Sequence, residues 1–221
     1  MNVLLIALAP VFIILIYIYI RDKYDKEPWS LLLKTLIAGG LITIPIILLE
    51  KVLSSIGDSF EGMANAAYTA FVVAAFSEEL FKYLVLFFFV RKSRHFNEQF
   101  DGIVYAVFVS LGFAAVENVM YVANGGLSVG LLRAITAVPA HALFGVAMGF
   151  YFGKHLFVEK KKYLYLAFFV PVLLHGVYDF ILMSRNYYLL LLFIPFLIYL
   201  WINGFRKMRY LSDRSIFKND K

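Results

Sequence analysis

The chain has 221 residues, 62% of them hydrophobic, a mean hydropathy of +0.78 and a formal net charge of +6. A soluble domain is roughly half apolar, so these values exclude an ordinary water-soluble fold and point to a polytopic, all-α membrane protein. The chain has no cysteine, which excludes disulfides, thiolate metal ligands and thiol catalysis.

A membrane-spanning helix needs about 20 mostly apolar residues. Seven runs meet this need, at about 3–20, 31–49, 64–90, 102–123, 131–152, 163–183 and 187–204. The first has no basic residues before it and no A-x-A cleavage site at its end, so it reads as an uncleaved span. The third is longer than a span requires and is expected to tilt or to begin outside the hydrocarbon.

Basic residues set the orientation. Arg21, Lys23 and Lys26 follow the first run. Arg91, Lys92 and Arg94 follow the third, and Lys154, Lys160, Lys161 and Lys162 follow the fifth. The C-terminal tail carries Arg206, Lys207, Arg209, Arg214, Lys218 and Lys221. The opposite loops hold only Lys51, Arg133 and Arg185. This pattern predicts a bundle of about seven transmembrane helices, with the N-terminus outside and the C-terminus cytoplasmic. It also accounts for the positive charge without a nucleic-acid partner; the lipid bilayer is the partner implied. Residues 1–221 read as a single domain with no internal repeat, which disfavours a transporter. Gly145, Gly149 and Gly153, and Ala106, Ser110 and Ala114, recur at helical spacing and predict tight helix packing.

Ionisable residues inside spans are costly and are candidates for function. The third run carries Glu78, Glu79 and, one turn on, Lys82. Counting about 1.5 Å per residue from Arg91 places them near the midplane. A lysine there needs only one carboxylate, so a structural ion pair explains half of the motif. Glu117 and Asn118 fall in the outer half of the fourth span, with Tyr121 a turn further on. There a structural hydrogen-bond cluster and a cavity wall are both open. His141 lies near mid-membrane on the fifth span, just after Pro139, which can kink the helix or free a carbonyl. His175 and Asp179 are one turn apart on the sixth and share a face. His95 and His155 sit among basic loop residues and read as solvated. Asp101 reads as a helix start.

These groups have the parts for activating water. A desolvated glutamate beside a second carboxylate is a candidate general base, and histidines can donate to a developing oxyanion. No HExxH motif is present, which argues against an ordinary zincin. Zinc held by His141, His175 and a carboxylate from separate helices stays open.

"RDKYDKEPW", "SEELFK", "FDGIVYAVFVSLGFAAVENVMY", "RAITAVPAHALFGVAMGFYFGK" and "LLHGVYDF" together resemble the PrsW family of bacterial intramembrane proteases. The resemblance runs in order from about residue 8 to 205. It implies a multi-pass peptidase of the bacterial cytoplasmic membrane that makes the site-1 cut in a single-pass anti-sigma factor. That cut starts the release of an envelope-stress sigma factor. The family's paired glutamates fall on Glu78 and Glu79, and its histidines on His141 and His175. Related prenyl endopeptidases end their last motif in His-x-x-x-Asn; here it is His175-x-x-x-Asp179, and Asp is the better metal ligand. Their first motif ends in Arg one residue later than the position where this chain has Lys82. The wider superfamily includes a scaffold without proteolysis of its own, so a substrate-presenting protein is the alternative.

The expected centre therefore has Glu78, Glu79, His141 and His175 as catalytic residues. Lys82, Glu117, Asn118 and Asp179 support them. The preferred mechanism is metal-free with Glu78 as base; if a metal is present, its candidate ligands are Glu78, His141, His175 and Asp179.

Overall fold

The computed structural model describes residues 3–57 and 59–218. Lys221, counted above in the basic tail, lies outside them. Among the described residues the chain is helical and holds no strand. The order is α1 (Val3–Arg21), α2 (Trp29–Leu41), α3 (Thr43–Gly57), α4 (Gly62–Tyr68), π1 (Thr69–Phe76), α5 (Ser77–Val85), π2 (Leu86–Val90), α6 (Asp101–Ile135), α7 (Ala137–Val158), α8 (Lys161–Met183), α9 (Tyr187–Leu190) and α10 (Phe193–Ser212).

Among the described residues, five helical stretches are long and apolar enough to cross a membrane: Leu4–Arg21, Trp29–Gly57, Asp101–Val158, Lys161–Met183 and Tyr187–Ser212. The third covers 58 residues, about three times what a bilayer needs, because the chain folds back within it at Gly126 and runs on through Thr136 into α7. The run holding the glutamates is four shorter pieces, because wide π turns on either side of α5 interrupt the α-helix. Such π segments are frequent at functional sites.

The first half of α6 is the hub. From Asp101 to Ala114 every residue is buried, as expected of a helix that is apolar all round. It packs against α1, α2 and α7. Small residues make this possible. A Cβ added at Gly149 would lie 2.1 Å from the Gly102 carbonyl oxygen, and one at Gly39 would lie 2.0 Å from that of Val109. The backbones of α6 and α7, and of α2 and α6, therefore touch directly. The spacing of Gly145, Gly149 and Gly153 serves this contact.

Two local details differ from the sequence reading. Pro139 sits in the first turn of α7, where no backbone donor is missed, and so introduces no kink. Inside α6, Gly126 adopts φ 71° and ψ −161°, and the chain folds back there. The short return segment, residues 127–135, precedes α7, and the run expected as the fifth span takes in its last part, 131–135.

Candidate active site

Glu78, Glu79 and Lys82 lie on one face of α5 and are all buried. The ammonium of Lys82 donates to Glu79 Oε1 at 2.8 Å and to Glu78 Oε2 at 3.1 Å. It also lies 3.4 Å from His141 Nδ1 and 4.4 Å from the centroid of the Phe113 ring. Spacings of three and four residues on a helix bring these groups together. The fold then delivers the histidines. His141 on α7 and His175 on α8 meet edge to face, with ring centroids 5.3 Å apart. Phe144 stacks on His175 at 4.8 Å, and Ser110 donates to the His141 carbonyl oxygen at 2.7 Å.

Each imidazole is held from both sides. His141 Nε2 lies 3.0 Å from Glu117 Oε2. His175 Nε2 lies 3.2 Å from Asp179 Oδ2, and its Nδ1 lies 3.0 Å from Glu79 Oε1. Both Nδ1 atoms are also 3.9 Å from Glu78 Oε2. Thus both rings turn Nε2 toward an outer carboxylate and Nδ1 toward the glutamate pair.

The two glutamates differ in place. Glu78 lines a cavity of about 680 Å³ that also meets His141, His175, Glu117 and Asp179. Glu79 is fully buried behind it, where its Oε2 has no partner. Volumes of this size are typical of ligand sites.

Sequence reasoning missed Arg133, which it placed at a loop mouth. Its guanidinium donates to Glu117 at 2.6 Å and to Asn118 at 2.8 Å, and lies 3.9 Å over the Tyr121 ring. In a straight helix, residues 117 and 133 would stand about 24 Å apart; the turn at Gly126 closes that gap. Asn118 does not line the cavity. Its amide donates to the Ala7 carbonyl oxygen at 2.7 Å and so ties α6 to α1. Glu50 on α3, which no motif singled out, lines the cavity. His95 and His155 do not, and both are partly exposed.

Asp101 begins α6, but it is fully buried and accepts from the backbone N–H groups of Asn97 and Glu98 at 2.7 Å. It thus braces the preceding turn. Asp22, Glu27 and Glu98 are also buried, and Tyr105 donates to Glu27.

The donor set suits a metal ion. One atom from each of Glu78, Glu79, His141 and His175 lies within 4.8 Å of all the others. A metal-bound histidine usually gives its other nitrogen to a carboxylate, and both histidines do so here. The orphaned Glu79 oxygen adds an unused acceptor. Lys82 already places one positive charge among these donors, so a bound ion would displace its ammonium.

A buried glutamate–histidine centre opening on a cavity between apolar helices is what an intramembrane hydrolase requires. Residues 27–202 match the PrsW family intramembrane metalloproteases. The chain is 38% identical to "Protease PrsW" of Clostridioides difficile strain 630, covering 96% of this chain and 92% of that one. It is 41% identical to the Geobacillus kaustophilus HTA426 protein of that name, over 91% and 88%. For the Bacillus subtilis 168 protein the identity is 39%, over 91% and 92%. No solved structure matches. The chain belongs to the PrsW family and is a multi-pass peptidase of the bacterial cell membrane.

Proposed function

We propose that this protein makes the first, site-1 cut in a single-pass anti-sigma factor, crossing the membrane about seven times with its N-terminus outside. The observation that carries the proteolytic reading is the exposure of Glu78, alone of the glutamate pair, to a cavity that also meets both histidines. The substrate class rests on the family resemblance, and the orientation on the loop charges.

Glu78 is the general base. It takes a proton from water as the oxygen attacks the peptide carbonyl carbon, and returns it to the departing amine. Glu117 and Asp179 hold the Nε2–H of His141 and His175, which leaves both Nδ1 lone pairs facing the glutamates. Those two nitrogens and Glu79 form the cation-holding set. The donor geometry and the family's description as metalloproteases favour this over the metal-free preference from sequence. A divalent cation bound there would lower the pKa of water and polarise the scissile carbonyl. Lys82 balances the carboxylates otherwise. The apolar walls, among them Phe113 and Phe144, keep bulk water from the reacting atoms.

The test is cleavage of a co-expressed single-pass anti-sigma factor. Glu78→Ala and His175→Ala are expected to abolish it while membrane insertion persists. Full cleavage by both variants refutes the proposal and favours the scaffold alternative.

A further inference from the structure

Among the carboxylates that line the cavity, one is unspent. Glu78 is met by Lys82 at 3.1 Å, Glu117 by Arg133 at 2.6 Å, and Asp179 by His175 at 3.2 Å. Glu50, on the α3 wall, lines the same space yet makes no hydrogen bond or ion pair with any described residue. Arg133, the arginine of the cavity lining, is committed to Glu117, and Lys82 to Glu78 and Glu79. The rest of that wall is Thr43, Ile46, Ile47 and Ser54, and Lys51, next in sequence, is exposed.

A lone carboxylate in a half-buried apolar wall carries a desolvation cost that no direct hydrogen bond or ion pair with a described residue offsets. The cost is recovered if an entering ligand supplies the missing positive charge and donor hydrogens. α3 is well placed to receive one. The helical stretch breaks between Leu41 and Thr43, so that α2 packs closely on α6 while α3 continues as the outer wall of the cavity.

We infer that Glu50 is a substrate-specificity residue: it receives a lysine or arginine side chain of the bound polypeptide and sets which peptide bond comes to rest at Glu78. This rests on the proteolytic reading above and adds the side chain that the site selects. Docking a basic side chain on α3 fixes the register of a segment that crosses the cavity toward α5, α7 and α8. Orientation of this kind lowers the barrier by holding the reacting bond in place.

The test uses purified protein and a single-pass anti-sigma factor whose lysines and arginines near the cut are replaced by glutamine one at a time. With the natural enzyme, one such position is expected to lower kcat/KM about tenfold, in the range between an exposed and a fully buried ion pair. Glu50→Gln is expected to bring the ratio between the basic and the glutamine substrate close to one. Glu50→Lys is expected to invert the ratio when the same position carries glutamate. Because each readout compares two substrates on one enzyme, a general loss of folding does not imitate it. An active enzyme whose preference is unchanged in Glu50→Gln overturns this inference alone. A natural enzyme that cleaves none of the substrates overturns the proteolytic reading, and this inference with it.

Discussion

Lys82 Nζ and Glu79 Oε1 lie 2.8 Å apart in a pair with almost no solvent exposure. Removing one partner of a buried pair leaves an uncompensated charge and costs about 3–5 kcal/mol. Lys82→Met is therefore expected to lower thermal stability sharply in chelator. Added zinc is expected to restore much of it, since the ion takes over the role of the ammonium. Thermal unfolding in matched detergent, with and without zinc, checks this. Equal stability of the variant in both conditions would separate Lys82 from the cation site.

Glu78 and Glu79 are neighbours with unequal surroundings. Glu78→Gln removes the carboxylate that meets the cavity, so cleavage should fall by about 10²–10⁴, the usual worth of a general base, with little change in metal content. Glu79→Gln should lose bound metal as well as activity, because among the described residues the Glu79 carboxylate bonds to Lys82 and His175, at the proposed cation site. Metal analysis of the two purified variants beside their cleavage rates separates the roles. Identical metal loss in both would contradict the division.

In the proposed centre, Glu117 and Asp179 act through the histidines they face. Outer carboxylates of this kind are typically worth about 10- to 100-fold in metal affinity. Glu117→Gln and Asp179→Asn should each need correspondingly more zinc for half-maximal activity after stripping with chelator. Glu117→Gln should also loosen Arg133, which has its shortest contact there. A zinc titration curve that coincides with that of the natural enzyme would remove these residues from the site.

The turn between α1 and α2 gives a pH prediction. Burial pushes Asp22 from 3.8 up to about 7 and Glu27 from 4.5 up to about 7. The folded protein therefore holds these protons more tightly than the unfolded chain does. Their contribution to stability is complete below the unfolded values near 4 and is lost as pH rises through about 7. Between pH 5 and 8 the stability of the natural protein should fall, and Asp22→Asn with Glu27→Gln should flatten that slope. Thermal unfolding across this range is the measurement, and an unchanged slope in the double variant would exclude these carboxylates as its source.

Much of the centre was legible in the sequence because its signals are local. Apolar runs mark helices in a membrane, and spacings of three and four place Glu78, Glu79 and Lys82 on one face, as they do His175 and Asp179. Depth counting put both histidines near the level of the glutamates, and the structure brings them into contact. Arg133 and Glu50 gave no such signal. One reads as a loop charge, and the other lies just beyond a span.

The sequence by itself determined an all-helical membrane protein, its family, and the residue types that must find partners inside it, since a charge in an apolar run cannot be left alone. Only the tertiary structure decided which partners these are. The turn at Gly126 gives Arg133 to Glu117, the close approach of α6 and α7 seats His141 beside Lys82, and the rotation of α5 exposes Glu78 while burying Glu79. Each depends on contacts between residues far apart in the chain, set by helix packing, which no local spacing encodes.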